Sequence, residues 1–223
     1  MDVEARSGRQ RECSEMARIL GWIVMTFLAL AVACYAVALL ALPEFRPSLV
    51  RTLIAERPVA AIAHFAGSAL ALTIGTFQLN SWLRSRFGGG HRWLGRFYVA
   101  GVLAGGISGF VLAVQSSGGT ITQAGFALLA VCWLGCTFMA YRHVRAGNIA
   151  EHRRWMIRSF ALTFAAVTLR IYLPVSQITG IAFPVAYSAI AWLCWMPNLL
   201  VAEAYLRFAG AGDWRAQRVG SRA

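Results

Sequence analysis

The amino-acid sequence predicts an all-α membrane protein with six transmembrane helices, and three observations lead to this fold class. Hydrophobic residues make up 58% of the chain and charged residues only 13%, whereas a soluble domain has about 45–50% apolar and about 25% charged residues. Apolar runs of about 20 residues recur, each long enough to cross the hydrocarbon core of a bilayer. Arginines cluster between alternate runs. These observations exclude the soluble, disordered and disulfide-scaffold classes.

The apolar runs define the six predicted helices and their limits. Pro43 stops the first run, and Pro58 stands at the start of the second, where the first turn of a helix tolerates proline. Pro174 and Gly180 bracket the last turn. Glycine-containing segments at 88–90, 116–119 and 147–148 precede the third, fourth and fifth runs, respectively. The predicted helices are Ile19–Leu42, Val59–Leu79, Trp93–Val114, Ile121–Ala140, Trp155–Leu173 and Ala182–Leu206.

The distribution of arginine predicts the orientation of these helices. Loops 82–96 and 141–158 contain four and five arginines, whereas loops 115–120 and 175–181 carry no charge. Cytoplasmic loops of membrane proteins are enriched in arginine and lysine. We therefore expect both termini in the cytoplasm and a four-helix core made of helices two to five. The predicted parts are a cytoplasmic tail 1–15, a six-helix transmembrane domain 16–207 and a cytoplasmic tail 208–223.

The net charge of +12 comes from arginine alone, because the chain contains no lysine. Such a charge in a soluble protein would suggest nucleic acid. Here the arginines flank apolar runs, so we interpret them as facing anionic lipid and expect no nucleic-acid partner. The absence of lysine is typical of a GC-rich bacterial genome, so we expect the bacterial cytoplasmic (inner) membrane. Four of the five cysteines lie inside apolar runs, and no disulfide is expected.

The two arginine-rich loops end in similar sequences, each at the start of a predicted helix. The first reads His91-Arg92-Trp93-Leu94-Gly95-Arg96, and the second reads His152-Arg153-Arg154-Trp155-Met156-Ile157-Arg158. The match needs one inserted residue. It suggests that helices two and three are repeated as helices four and five.

This repeat places His91 and His152 at the same depth on helices three and five. Two imidazoles that face each other across a four-helix core can ligate the iron of haem b or another metal. Arg96 and Arg158 would pair with the haem propionates, and Gln78 and Tyr98 would form hydrogen bonds to the ligand near His91. The alternative is that both histidines cap helix starts at the interface while the arginines bind lipid phosphate.

A second polar site is predicted from His64 and Arg170. His64 lies about 9 Å below one end of helix two, and Arg170 about 6 Å below the same side of the membrane on helix five, at 1.5 Å per residue. Ionisable residues inside membrane helices are functional candidates because their insertion is costly. The alternatives are a single hydrogen bond to a neighbouring helix for His64 and snorkelling to the headgroups for Arg170.

Gly101, Gly105 and Gly109 repeat every four residues on helix three. This spacing forms a glycine face that allows close approach of another helix. We expect that face to pack within the bundle. Association of copies of the chain into a homo-oligomer is the alternative.

Four stretches carry a resemblance to a known family: Gly75-Thr76-Phe77-Gln78, His91 to Tyr98, His152 to Ser159, and Leu169-Arg170. Over about residues 58–173 the chain resembles the bacterial multi-pass membrane family catalogued as domain of unknown function 2306. The resemblance implies an integral membrane protein of the cell envelope, and it supplies no activity. The matching polar and aromatic positions are His64, Gln78, His91, Tyr98, His152, Trp155, Arg158 and Arg170.

A looser likeness is to the di-haem b-type cytochromes, which carry one histidine pair in each leaflet. Here His64 has no histidine opposite it on helix four, where Gln123 is the nearest candidate. One haem, a metal centre or a quinone site therefore fits the residues better than two haems.

Two functional hypotheses follow. The first is a redox-linked membrane protein that binds haem b through His91 and His152 and exchanges electrons with quinone. The second is a non-redox small-molecule transporter or membrane assembly partner whose polar site is lined by histidine and arginine. Phosphate-binding glycine loops, nucleophile elbows and metalloprotease histidine pairs are missing from the sequence, and the sequence does not decide whether the protein is an enzyme.

Overall fold

A computed structural model describes the backbone of residues 2–80, 86 and 88–220, and the side chains of residues 15–17, 19–80, 86 and 89–208. The described residues are helical, without a β-strand among them. Six helical segments are long and apolar enough to cross a membrane, which confirms the predicted fold class. These spans, numbered 1 to 6, are Glu15–Ala41, Pro58–Gln78, Gly89–Val114, Gly119–Arg145, Ile149–Ile178 and Phe183–Phe208.

Helices α1 to α9 follow one another along the chain, and two of the spans contain two helices each. Span 5 consists of α6 and α7, and span 6 consists of α8 and the first half of α9. The helices are α1 (Asp2–Ala41), α2 (Ser48–Glu56), α3 (Pro58–Gln78), α4 (Gly88–Val114), α5 (Gly119–Arg145), α6 (Ile149–Thr163), α7 (Ala165–Ile178), α8 (Phe183–Leu193) and α9 (Met196–Gly220).

Spans 2 to 5 form a closed ring, as predicted for the four-helix core. Span 2 packs against spans 3 and 5, and span 4 packs against spans 3 and 5. Span 1 lies outside the ring against spans 2 and 5, and span 6 lies against spans 4 and 5. The largest core cluster includes Tyr98, Trp133, Leu162, Ile190 and Trp195.

The two ends of the bundle differ in sequence. We call one end the arginine-rich end: α4 and α6 start there. We call the other the α2 end: α2 and the turns 115–118 and 179–182 lie there. An even number of spans puts both ends of the transmembrane domain at the arginine-rich end. The cytoplasmic placement of that end stays a prediction. Residues 82–85 and 87 of the predicted loop 82–96 lie outside the described residues.

Two predicted boundaries were wrong, and one helix was not predicted. The glycines at 88–90 form the first turn of α4 and do not break the chain before it. Helix α7 continues through Pro174 to Ile178, although proline was expected to end the span at Leu173. Helix α2, between spans 1 and 2, was not predicted, because its nine residues are too few to give an apolar run.

The interruptions of spans 5 and 6 lie close together and share one side chain. Span 5 is interrupted at Phe164. Span 6 is interrupted at 194–195, ahead of Pro197, which has no backbone N–H to continue the helix. Asn198 donates from Nδ2 to Thr168 Oγ1 at 2.9 Å and to the carbonyl of Cys194 at 3.1 Å. This amide therefore links the interrupted region of span 6 to α7.

Candidate functional site

A cavity of about 470 Å³ lies in the half of the bundle nearer the α2 end. Its volume falls within the range of about 300–1,000 Å³ that is usual for small-molecule sites. All six spans and α2 contribute to its wall, which is mostly apolar. The polar side chains in the wall include His64, Ser68, Gln115, Thr163, Trp133 and Arg170.

His64, on α3, is held by the glycine face of α4. Its Nδ1 lies 2.8 Å from the carbonyl oxygen of Gly105. A carbonyl only accepts hydrogen bonds, so Nδ1 carries the proton and Nε2 of the neutral ring keeps its lone pair. A Cβ atom at Gly109 would lie 2.8 Å from Nδ1, so this position needs glycine to leave room for the ring. The expected hydrogen bond to a neighbouring helix is present, and His64 also lines the cavity.

The glycine face of α4 packs against α3 of the same chain. A Cβ atom at Gly67 on α3 would lie 2.6 Å from the backbone nitrogen of Gly105 and 2.7 Å from the backbone oxygen of Gly101. All three of these glycines are buried. The predicted packing within the bundle therefore accounts for this face. Association of copies of the chain into a homo-oligomer through the Gly101/Gly105/Gly109 face stays a prediction.

Arg170, on α7, turns away from the nearer end of its span. Its Nη1 donates to the carbonyl of Ala166, one turn closer to the middle of span 5, at 3.0 Å. Its Cζ atom lies 5.6 Å from the centroid of the Tyr35 ring, within the distance of a cation–π contact. The interpretation of Arg170 as a snorkelling residue is therefore wrong: helical side chains lean towards the helix N-terminus, and here that direction is the membrane interior.

The guanidinium of Arg170 is incompletely paired. Its Nε is buried and has no hydrogen-bond partner. No carboxylate of the described residues forms an ion pair with it. Glu56 also lines the cavity but pairs with Arg57 at 3.3 Å. The wall of the cavity thus carries one positive charge that no described acidic side chain compensates.

His91 and His152 lie at the arginine-rich end, and neither lines the cavity. They precede Tyr98 and Ser159 by seven residues each, and the hydroxyls of Tyr98 and Ser159 are 2.8 Å apart. The equal depth of the two histidines stays a prediction. Nδ1 of His152 donates to the carbonyl of Ala140 on α5 at 2.9 Å. The described residues contain no group of three or more histidine, cysteine or acidic side chains placed to hold a metal ion.

The polar residues predicted to surround the histidine pair have protein partners. Nε2 of Gln78 donates to the backbone carbonyl of His91 at 2.9 Å. Arg158 binds Glu203 on α9 through its Nε and Nη2 atoms, with Nη2 3.0 Å from Oε2. Arg96 lies over Trp93 at 4.5 Å, and the equivalent stacking in the second half is Arg158 over Trp155 at 4.7 Å. The two stackings agree with the predicted repeat.

Tyr98 belongs to a buried hydroxyl network that the sequence interpretation did not include. Its hydroxyl lies 2.8 Å from Ser159 Oγ and 2.9 Å from Thr163 Oγ1. Trp133 Nε1 donates to Thr163 at 2.9 Å, and Thr137 Oγ1 lies 2.6 Å from Ser159 Oγ. The sequence signal that could have revealed this network was the four-residue spacing of Trp133 and Thr137 on α5 and of Ser159 and Thr163 on span 5. The network joins spans 3, 4 and 5 and engages the hydroxyl that was expected near His91.

The structure thus brings some of the predicted site residues together and separates others. His64 and Arg170 line one cavity, as their depths suggested. The other candidates, Gln78, His91, Arg96, Tyr98, His152 and Arg158, lie outside its wall. Sequence reasoning missed Tyr35 beside Arg170 and Glu203 beside Arg158.

The family model described as "Predicted membrane protein (DUF2306)" matches residues 61–206. The match extends beyond the predicted limit of 173 and includes span 6 as well as the ring of spans 2 to 5. No curated protein and no solved structure matches the chain. Because the matched region covers more than half of the sequence, the chain belongs to the DUF2306 family of membrane proteins.

Proposed function

We propose that the protein binds a lipid-soluble small molecule, with an oxygen-bearing polar head, in the cavity near the α2 end. One observation carries this proposal: Nε of Arg170 is buried without a partner in the wall of a cavity of about 470 Å³. An unsatisfied buried donor on a charged group costs several kcal/mol. An oxygen atom of a ligand would remove that cost once the side chain turns to present Nε, which neighbouring atoms cover in this structure.

The residues that line the cavity suit both the polar head and the apolar body of such a molecule. The planar guanidinium of Arg170 presents donors to one or two oxygen atoms. His64 keeps the lone pair of Nε2, which accepts a hydrogen bond from a hydroxyl. Arg170 and His64 stand on different helices, so together they orient the polar head. Aliphatic side chains and the Phe126 ring would contact the apolar body.

Quinone, the partner in the redox hypothesis, belongs to this ligand class. Its carbonyl oxygens accept hydrogen bonds, and its hydrocarbon tail is apolar. The transporter alternative uses the same cavity, because transported molecules often bind beside interrupted helices near the middle of the membrane. Thr163 and Cys194 line the cavity at the interruptions of spans 5 and 6.

Equilibrium binding to the purified full-length protein tests the proposal. The probes are a radiolabelled short-chain quinone and radiolabelled dodecanoic acid, measured with the wild type, Arg170→Gln and Arg142→Gln. Arg142 is an exposed arginine at the end of α5 and serves as the matched control. We expect at least one probe to bind the wild type and the control, and to bind Arg170→Gln about 10-fold or more weakly. Equal binding to all three proteins, or none, would refute the proposal.

A haem b or metal ion bound by His91 and His152 is the second candidate, and one contact favours it. Metal-ligating histidines usually donate their other ring N–H to a carbonyl or carboxylate, and Nδ1 of His152 donates to Ala140. The ion pair of Arg158 with Glu203 counts against it, because it engages one guanidinium expected for the propionates. Electron exchange with quinone, which the redox hypothesis adds, would need this haem.

An optical spectrum of purified protein, made with ample haem and compared before and after dithionite reduction, decides this second candidate. A Soret shift that is lost in both His91→Ala and His152→Ala would support it. A spectrum without haem bands, together with elemental analysis that finds no bound metal, would exclude it.

A further inference from the structure

We infer that the cavity takes a single-chain amphiphile with a carboxylate head, and that this ligand enters sideways from the membrane leaflet at the α2 end. This inference rests on the proposed function and narrows it to one ligand class. Three features of the described residues carry it: the donors that Arg170 leaves unused, the charge of the cavity wall, and the parts of the wall that are covered or open.

The unused edge of Arg170 is the edge with which this protein already binds a carboxylate elsewhere. Arg158 presents Nε and Nη2 side by side to the two oxygens of Glu203. In Arg170 the backbone of α7 takes Nη1, and Nε has no partner. Side-by-side donors of this kind match the two oxygens of a carboxylate.

The charge of the wall favours an anion over a neutral carbonyl compound. Arg57 and Glu56 compensate each other, whereas Arg170 has no acidic partner in the described part of the chain. A buried charge without a counter-charge is costly, and a carboxylate supplies the missing charge. A quinone supplies an acceptor atom and no charge, so it satisfies only part of what Arg170 lacks.

The volume and lining of the cavity favour a hydrocarbon chain behind the carboxylate. About 470 Å³ is far more than a small inorganic anion or acetate would fill. The side chains that surround the space behind the head are mainly aliphatic or aromatic, among them Leu39, Phe65, Leu72, Leu129, Leu162 and Leu169.

Helix α2 covers the cavity at the end of the bundle that faces water. Its Val50 is buried in a cluster with Leu39, Ala61 and Phe65. Arg46, just before α2, donates to the carbonyls of Leu39 at 2.6 Å and Leu40 at 2.9 Å, which fixes this connection to the end of α1. Helix α2 therefore covers part of the aqueous approach, beside the exposed Gln115 and Ser117 that also line the cavity.

The wall beside α1 includes Tyr35, whose side chain also reaches the surface of the bundle. This side chain lines the cavity, lies next to Arg170 and is 42% exposed. A ligand that passes Tyr35 meets the guanidinium directly. Lateral entry requires a molecule that partitions into the bilayer, as a long-chain carboxylic acid does and acetate does not.

Equilibrium binding to the full-length protein in phosphatidylcholine nanodiscs tests this inference. The probes are dodecanoate, its uncharged methyl ester, dodecyl phosphate and the short-chain quinone, with acetate as a competitor. We expect dodecanoate to bind the wild type at least about 10-fold more tightly than the methyl ester, the effect of one charge-assisted contact. We expect Arg170→Gln to lose this preference, and Arg170→Lys and the control Arg142→Gln to keep it. The comparison of acid with ester uses the wild type, so it does not depend on the folding of a variant.

The outcomes separate this inference from the proposed function. Equal binding of acid and ester, with quinone binding that still depends on Arg170, would overturn the carboxylate and leave the proposed function standing. Tighter binding of dodecyl phosphate than of dodecanoate would overturn the carboxylate in favour of a phosphate head. Displacement of dodecanoate by acetate at similar concentration would overturn the hydrocarbon chain and lateral entry. Absence of binding by every probe would refute both proposals.

Discussion

Replacing Gly67 with alanine tests whether the contact between α3 and α4 depends on the absence of side chains. A Cβ atom at Gly67 would lie 2.6 Å from the backbone nitrogen of Gly105 and 2.7 Å from the backbone oxygen of Gly101. Both neighbours are main-chain atoms, so no side-chain rotation can relieve the contact. The two helices must separate, and the protein should lose stability.

The expected size of the loss follows from two opposing effects. Overpacking a close contact costs about 1–3 kcal/mol, and alanine favours a helix over glycine by about 0.5–1 kcal/mol. Because the contact at Gly67 involves backbone on both sides, we expect the upper part of the first range and a net loss of about 2 kcal/mol. That loss lowers the melting temperature by roughly 4–8 °C, at about 2–4 °C per kcal/mol for a chain of this size.

Gly135→Ala is the matched control. Gly135 lies on α5, is exposed, and has no atom within 4 Å of the position that a Cβ would take. The only expected effect of Gly135→Ala is the higher helix propensity of alanine, which should raise the melting temperature by about 1–4 °C.

The assay is thermal unfolding of both variants and the wild type, purified in the same detergent. The reasoning predicts shifts of opposite sign for the same chemical change. Equal shifts, or a Gly67→Ala protein as stable as the wild type, would show that the α3–α4 contact is looser than described and would refute the argument.

Four further outcomes are expected. Glu203→Gln should cost about 1–2 kcal/mol, because it weakens a pair with Arg158 that is only partly exposed, and a double-mutant cycle with Arg158→Ala should show coupling between the two sites. Tyr98→Phe should lower the free energy of unfolding by about 1–3 kcal/mol, since it leaves two buried hydroxyls without their shared partner; an unchanged unfolding curve would contradict this. Asn198→Ala should destabilise by about 1–2 kcal/mol through the lost bonds to Thr168 and to the carbonyl of Cys194, and Thr168→Val in the same background should add little. A fluorescent protein fused to the C-terminus should fluoresce and an alkaline phosphatase fusion should be inactive; the reverse result would overturn the predicted cytoplasmic placement of the arginine-rich end.

The fold could be predicted from the sequence because membrane spans are a local property. A run such as Val59–Leu79 has to be about 20 residues long and apolar whatever its neighbours are, and the structure places a span at Pro58–Gln78. The contact between Tyr98 and Ser159 agrees with the repeat, since each of these residues follows one of the two equivalent histidines by seven positions.

The site could be predicted only in part, because the facing of a helix depends on the neighbours against which it packs. The depths of His64 and Arg170 indicated a shared site, but the direction of Arg170 depends on Ala166 and Tyr35. The pair of Arg158 and Glu203 joins residues 45 positions apart. No spacing within one helix reveals such a contact.

The two sides of the cavity differ in how rigidly their helices are held. On the His64 side, α3 and α4 approach to backbone contact at Gly67, Gly101 and Gly105, so few side chains there can change rotamer. On the Arg170 side, α7 runs from the interruption at Phe164 to Pro174, whose missing N–H deprives the Arg170 carbonyl of its usual helical partner. Helical segments with fewer hydrogen bonds open at lower free energy. Backbone amides of α7 should therefore exchange with deuterium sooner than those of α3, and filling the cavity should slow the exchange of α7 more than that of α3.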